Sequence, residues 1–158
     1  VSIANYNCPG QLVIGGEAKA VTKASELALE KGARRAIPLN TSGPFHTKLL
    51  EAASVKLKER FETVTFNEMK VPVIFNSTAK ELAEDTTVAK MLEKQVMSSV
   101  YFEDSIRYMI ANGVDTIIEI GPGKVLSGFV RKIDRKIKTY QVEDQASLEK
   151  TLAGLKGE

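Results

Sequence analysis

Asp115 to Ile120 is a short β-rich run that passes directly into Gly121-Pro122-Gly123-Lys124 and then into a helix-patterned segment from Val125 to Ile133. A strand that ends in a glycine turn and feeds a helix is the unit of a wound α/β sheet. The helix carries the chain back across the sheet, so the next strand enters in the same direction. Lys138 to Val142 supplies that strand, and Ala146 to Leu155 a last helix with Leu148, Leu152 and Leu155 aligned. The same alternation runs upstream. Thr47 to Thr63 has apolar Leu50, Ala53, Leu57 and Phe61 at helical spacing. Val71-Pro72-Val73-Ile74-Phe75-Asn76 reads as a strand, and Val88 to Met97 as a helix after the polar loop Glu84 to Thr87. Phe102 to Ala111 reads as a helix with Phe102, Ile106, Met109 and Ile110 inward and a stop at Asn112-Gly113. Residues 41–158 are therefore expected to form an α/β segment with a parallel sheet.

The first 40 residues follow another pattern. Residues 1–6 and 11–16 are strand candidates joined through Pro9-Gly10, a turn signal, which together predict a hairpin. Glu17 to Lys31 is a helix with Val21, Ala24, Leu27 and Ala28 on one face and Gly32 as its stop, and Ala36-Ile37-Pro38-Leu39 returns as a strand. The order β-β-α-β predicts an incomplete ferredoxin-like α+β subdomain over residues 1–40, lacking its first strand and helix. The chain opens without a methionine, directly into a strand, and is expected to begin inside a larger fold.

Composition narrows the function classes. With 158 residues, 43% of them hydrophobic and 27% charged, the chain has material for a sizeable core and reads as globular and intracellular, with a cytoplasmic location expected. Its apolar runs are too short for a membrane span. A net charge of +2, from 22 basic and 20 acidic residues, gives nucleic-acid binding little electrostatic support. The single cysteine, Cys8, excludes an internal disulfide framework and argues against a thiolate metal site, and no metal is expected. Basic residues do cluster from Arg131 to Lys138. They read either as a solvated helix end whose cations suit the C-terminal dipole or as a docking patch for an acidic partner, through Arg131 and Lys132.

His46, in Ser42-Gly43-Pro44-Phe45-His46, is the only histidine. A lone histidine is more often a surface or structural residue than a catalytic one. Its place between a predicted strand and a predicted helix, with the fixed Gly-Pro backbone before it and Phe45 beside it, is where a general base would stand. The chain contains no Gly-x-Ser-x-Gly elbow for such a base to activate. Gly121-Pro122-Gly123-Lys124 is a poor phosphate loop, with one residue between its glycines and Val125 after the lysine. It reads as a tight turn, with Glu119 satisfied by turn amides. Asn5, Asn7 and Gln11 flank the Pro-Gly turn, where their amides either face a ligand, with Asn7 the candidate substrate-binding residue, or serve the turn without any ligand. Cys8 shows neither a base nor a cause for a lowered pKa. Gln95, Ser98 and Ser99 end a helix, where polar residues are ordinary.

Four stretches in this order resemble one family: Asn5-Tyr6-Asn7-Cys8-Pro9-Gly10-Gln11, Ser42-Gly43-Pro44-Phe45-His46, Val71-Pro72-Val73-Ile74-Phe75-Asn76, and Ile118-Glu119-Ile120-Gly121-Pro122-Gly123-Lys124-Val125-Leu126. The family is the malonyl-CoA:acyl carrier protein transacylases of fatty acid synthesis, akin to the acyltransferase domains of polyketide synthases. The resemblance implies a three-layer α/β-hydrolase-like core, here partial, with an inserted ferredoxin-like subdomain. It also implies a serine–histidine ping-pong mechanism in which malonyl-CoA and phosphopantetheinylated acyl carrier protein are substrates and no cofactor is permanently bound. His46 matches the family's catalytic histidine, Gln95 the residue whose backbone carbonyl orients it, and Phe45 the residue before the histidine, often Phe in malonyl-selective relatives and so expected on the substrate side. The nucleophilic serine, the oxyanion-hole amides and the arginine that pairs with the malonyl carboxylate would all precede Val1. The chain thus resembles the C-terminal half of an enzyme expected to be monomeric when complete, and is expected to be inactive alone. Three departures stand out: Cys8 where serine is common, Ser99 where proline is common, and Tyr101-Phe102 where a polar residue and tryptophan are common. Ser99 is expected to relax the loop carrying the Gln95 carbonyl. The competing expectation is a two-subdomain module that binds a ligand around His46 without covalent chemistry.

Overall fold

A computed structural model describes residues 1–157. The predicted hairpin forms from β1 (Ser2–Cys8) and β2 (Gln11–Gly15), antiparallel, turning at Pro9-Gly10 where Gly10 takes φ +77°. That left-handed conformation is the reason a glycine stands in the turn. Its register breaks between Ile3 and Asn5 and again between Tyr6 and Cys8. Helix α1 (Ala18–Glu30) follows, as its Ala, Glu, Lys and Leu content predicts, but buries no residue completely.

No strand forms at Ala36-Ile37-Pro38-Leu39, which runs as irregular backbone with Ile37 and Leu39 exposed. The predicted strand Val71 to Asn76 is also missing. Only Phe75 makes a bridge, to Lys80, while Val71 and Val73 stand exposed. Both segments have strand composition, but a strand exists only against a hydrogen-bonding neighbour, and the described residues offer these two nothing beyond the single Phe75–Lys80 bridge.

Downstream, α2 (Glu51–Phe61), α3 (Val88–Gln95), β3 (Val100–Tyr101) and α4 (Phe102–Ala111) lead to β4 (Thr116–Ile120), α5 (Val125–Ile133), β5 (Lys138–Val142) and α6 (Gln145–Lys156). β4 and β5 pair in parallel through five residue pairs, with α5 as the crossover, as the strand–turn–helix pattern predicts. Ile106 of α4, Val130 of α5 and Ile137 are buried together, with Phe102, Met109, Ile110, Ile117 and Ile133 packed around them. The helical spacing of α4 therefore marks a true core face. α6 is fixed at its start by a capping box between Asp144 and Ser147.

β3 is short but decisive. It adds in parallel to the free edge of β1, with Asn5 opposite Val100 and Tyr6 opposite Tyr101, and the two tyrosine rings stack at 5.1 Å. The hairpin of residues 1–40 and the segment following α3 thus share one sheet, ordered β2-β1-β3.

Candidate active site

His46 does not sit at the start of an α-helix. It precedes a 3-10 turn over Lys48–Leu50, and α2 begins only at Glu51. Thr47, the residue placed to cap the helix, turns its hydroxyl back to the Pro44 carbonyl at 2.7 Å. Thr47 is buried, and its methyl presses on the hairpin: a Cβ added to Gly15 would lie 2.9 Å from Thr47 Cγ2. A glycine is needed there for close approach rather than for its dihedral freedom. The histidine itself is held at φ +60°, in the left-handed region that costs a side-chain-bearing residue about 1–3 kcal/mol.

Two consecutive carbonyls at the end of α3 hold this conformation. The His46 backbone N–H donates to Val96 O at 3.2 Å, and the ring Nδ1 lies 3.1 Å from Gln95 O. A carbonyl oxygen only accepts, so Nδ1 carries the proton and Nε2 is left with a free lone pair. The last carbonyls of a helix have no partner within it. Gln95 O therefore has lone pairs for both Ser98 N–H, at 3.3 Å, and the imidazole.

Hydroxyl-to-carbonyl bonds secure the surroundings. Ser54 Oγ of α2, fully buried, donates to Glu93 O of α3 at 3.0 Å. Ser99 Oγ donates to Ile3 O of β1 at 2.6 Å. The expectation that Ser99 relaxes its loop left out this bond, through which its hydroxyl ties the loop to the sheet. Sequence reading missed this contact because a donor and a carbonyl 96 residues apart leave no spacing to read.

The other candidate residues lie elsewhere. Phe45 projects its ring about half exposed beside the imidazole's backbone. Asn7 is half-buried on β1, near the Pro-Gly turn, with no side-chain hydrogen bond to His46 among the described residues. Arg131 and Lys132, at the end of α5, line an open cleft of about 540 Å³ with Pro9, Arg135 and Ile137. Arg131 Nε also donates to Thr139 Oγ1 at 2.9 Å, and Lys132 Nζ reaches Gln11 Oε1 at 3.5 Å. The cleft therefore sits at the turn of the hairpin, whereas the histidine loop presses on Gly15 at its other end. Four residue steps along β2, from Gln11 beside Lys132 to Gly15, put the two roughly 14 Å apart. Arg135, which the sequence places in the basic stretch without a role, joins the cleft as its third cation. Cys8 is buried beneath it, where desolvation pushes the thiol pKa up despite Lys132 nearby.

The glycine turn after β4 holds carboxylates. Glu119 accepts from Leu126 N–H at 3.1 Å and Ser127 N–H at 2.7 Å, and Glu143 accepts from Gly123 N–H at 2.8 Å. The chain's own acids occupy the amides an external phosphate would need. Burial pushes the Glu119 pKa up, but hydrogen bonding from Ser127 and the Leu126 N–H outweighs it, and the carboxyl is held below the usual glutamate range. A depressed folded-state pKa stabilises the protein above the unfolded value, and that contribution disappears as pH falls through the folded value. Glu119→Gln should lower stability by about 1 kcal/mol at neutral pH. Urea unfolding should show the gap to the native protein closing below the ordinary glutamate range, and an equal gap at both pH values would contradict this capping role.

No protein-family model matches the chain. Individual relatives do. It is 51% identical over 158 residues to the malonyl CoA-acyl carrier protein transacylase of Bacillus subtilis (strain 168), covering 100% of this chain and 50% of that protein. It is 36% identical over 140 residues to the enzyme of the same name from Staphylococcus aureus (strain MSSA476), covering 89% of this chain and 46% of that one. Among solved structures, the malonyl CoA-acyl carrier protein transacylase of Clostridium perfringens superposes with a TM-score of 0.95 at 45% identity, over 99% of this chain and 49% of that one. A malonyl-transacylase solved in complex with a type II polyketide synthase acyl-carrier protein superposes with a TM-score of 0.92 at 33% identity, over 99% of this chain and 50% of the other. The chain thus spans about half the length of the relatives it matches. From end to end it follows them in sequence and in fold, and it belongs to the malonyl CoA-acyl carrier protein transacylase family, matching its C-terminal half.

Proposed function

We propose that this chain carries the histidine half of a malonyl-transfer site, and that the serine half lies in the N-terminal part its relatives possess. The contact of Nδ1 with Gln95 O at 3.1 Å carries this reading, because it leaves Nε2 free to accept a proton. In the first half-reaction Nε2 takes the proton from the serine hydroxyl as its oxygen attacks the malonyl thioester. The imidazolium then returns that proton to the departing coenzyme A thiolate. In the second, Nε2 takes the proton from the phosphopantetheine thiol of acyl carrier protein, whose sulfur attacks the malonyl-serine ester, and the serine oxygen recovers a proton from the ring. Written this way the transfer balances without a resident cofactor, and it fits a cytoplasmic role in fatty acid synthesis.

The finer fold reading belongs to the same proposal. Residues 1–40 are the remaining part of a ferredoxin-like subdomain and 41–158 part of a three-layer α/β-hydrolase-like core. The exposed apolar residues Ile37, Val71 and Ile120 support it, since each lies on a segment of strand composition with an unpaired edge. Phe45 and Asn7 are assigned to the substrate side, and the cleft of Arg131, Lys132 and Arg135 to docking the acyl carrier protein. An acidic partner would be steered to three cations.

The complete protein should transfer malonyl groups from malonyl-CoA to phosphopantetheinylated acyl carrier protein. Use of another acyl-CoA in preference would replace the substrate class. Reversing charge at Arg131 and Lys132 together should raise the KM for carrier protein about tenfold and leave that for malonyl-CoA alone. An unchanged carrier-protein KM would remove the docking role.

A further inference from the structure

The segment Val96-Met97-Ser98-Ser99 joins α3 to β3 and presents one of the two carbonyls that hold His46, the other lying immediately before it. Its turn contacts are long: Met97 N–H to Lys94 O and Ser98 N–H to Gln95 O both measure 3.3 Å, and Val96 O receives His46 N–H at 3.2 Å. The two turn bonds lie just past the ordinary range for N–H···O bonds, so they fix the loop less firmly than shorter bonds would. The bond from Ser99 Oγ to Ile3 O, at 2.6 Å, is much shorter and reaches another element. It falls beside the register break between Ile3 and Asn5, where a bulge disturbs the ladder and a strand carbonyl can take a side-chain donor.

The hairpin that receives this bond also supports the histidine. Thr47 rests on Gly15 of β2, directly across the pair from Ser2 and next to the Ile3–Ile14 pair. One two-stranded body therefore locates both sides of the Nδ1–Gln95 contact: the histidine loop through Gly15, and the carbonyl loop through Ile3. If Ser99 lets go, the loop is still joined to the hairpin at Val100 through the β3–β1 pairing and to α2 through the Ser54–Glu93 bond, but Val96 to Ser98, between those two supports, keep only their turn contacts and the contact with the histidine loop itself.

We propose that Ser99 is a positioning residue for His46, its hydroxyl mooring the α3–β3 loop to the hairpin so that the Gln95 carbonyl meets Nδ1 and fixes the ring tautomer. The kinetic consequence rests on the reading of His46 as the base, whereas the tautomer is observable without turnover. Because His46 is the only histidine, the chain labelled with 15N-histidine gives a single imidazole spectrum that distinguishes protonated Nδ1 from protonated Nε2. The native chain should show Nδ1 protonated. Ser99→Ala should reduce the ratio of Nδ1–H to Nε2–H about fivefold, the factor that loss of one ordinary hydrogen bond corresponds to. Ser99→Thr, which keeps the hydroxyl, should restore it. In the complete enzyme kcat should fall and recover in parallel, with the KM for malonyl-CoA unchanged. If Ser99→Ala does not fold, Ser99→Cys, similar in volume but a weaker donor, must show the same direction of shift. A native tautomer ratio in a folded Ser99→Ala or Ser99→Cys chain overturns the mooring and leaves the base assignment standing. A shifted ratio with native kcat upholds the mooring and overturns the base assignment.

Discussion

Gln95→Pro should slow malonyl transfer by the complete enzyme about a hundredfold, while Gln95→Ala should change it by no more than about twofold. The group that meets His46 is the backbone carbonyl, and the Gln95 side chain makes no hydrogen bond among the described residues. Removing that side chain leaves the carbonyl where it is. Proline in the last turn of α3 has no N–H to return to the helix and clashes with the preceding turn, a disturbance of about 3 kcal/mol at the end of the helix whose carbonyls hold the ring. Steady-state transfer rates for the two variants separate the possibilities. Equal losses for alanine and proline would mean that the side chain, not the carbonyl, does the work.

His46→Ala should remove about 10²- to 10⁴-fold from kcat, the range that one positioned general base contributes. The effect should fall on kcat with little change in the KM for malonyl-CoA, because the proton moves only in the transition state. Stability should move the other way in a companion variant. His46→Gly removes the imidazole and the cost of φ +60° together, so it should raise unfolding free energy by about 1 kcal/mol while transfer is lost. A destabilised His46→Gly protein would show that the contacts to Gln95 and Val96 outweigh the strain.

Local pattern carried most of the secondary structure. Phe102–Ala111, Val125–Ile133 and Lys138–Val142 form at the residues their spacing marks, because amphipathic helices and a strand placed after a crossover find their partners within this chain. Ala36 to Leu39 and Val71 to Asn76 have equal strand composition and form none, because pairing depends on a neighbour that composition does not encode. His46 was conspicuous as the lone histidine, but nothing in its spacing pointed to a backbone carbonyl 49 residues away, and only the family resemblance connected it to Gln95. Ser99 shows the opposite case. The resemblance marked it as a departure that loosens the loop, and the structure adds a bond from its hydroxyl to Ile3 O that this expectation did not include. Glu119 lay between, since a carboxylate just before a glycine turn and a helix start is placed to meet free amides, and it does.

Radiolabelled malonyl-CoA tests the central claim most directly. The chain alone should acquire no covalent label. The chain combined with the N-terminal half of a relative should yield a labelled species in which the label sits on that half and is discharged by phosphopantetheinylated acyl carrier protein. Covalent malonylation of the isolated chain would contradict the account, because a nucleophile would then have to lie among these 158 residues.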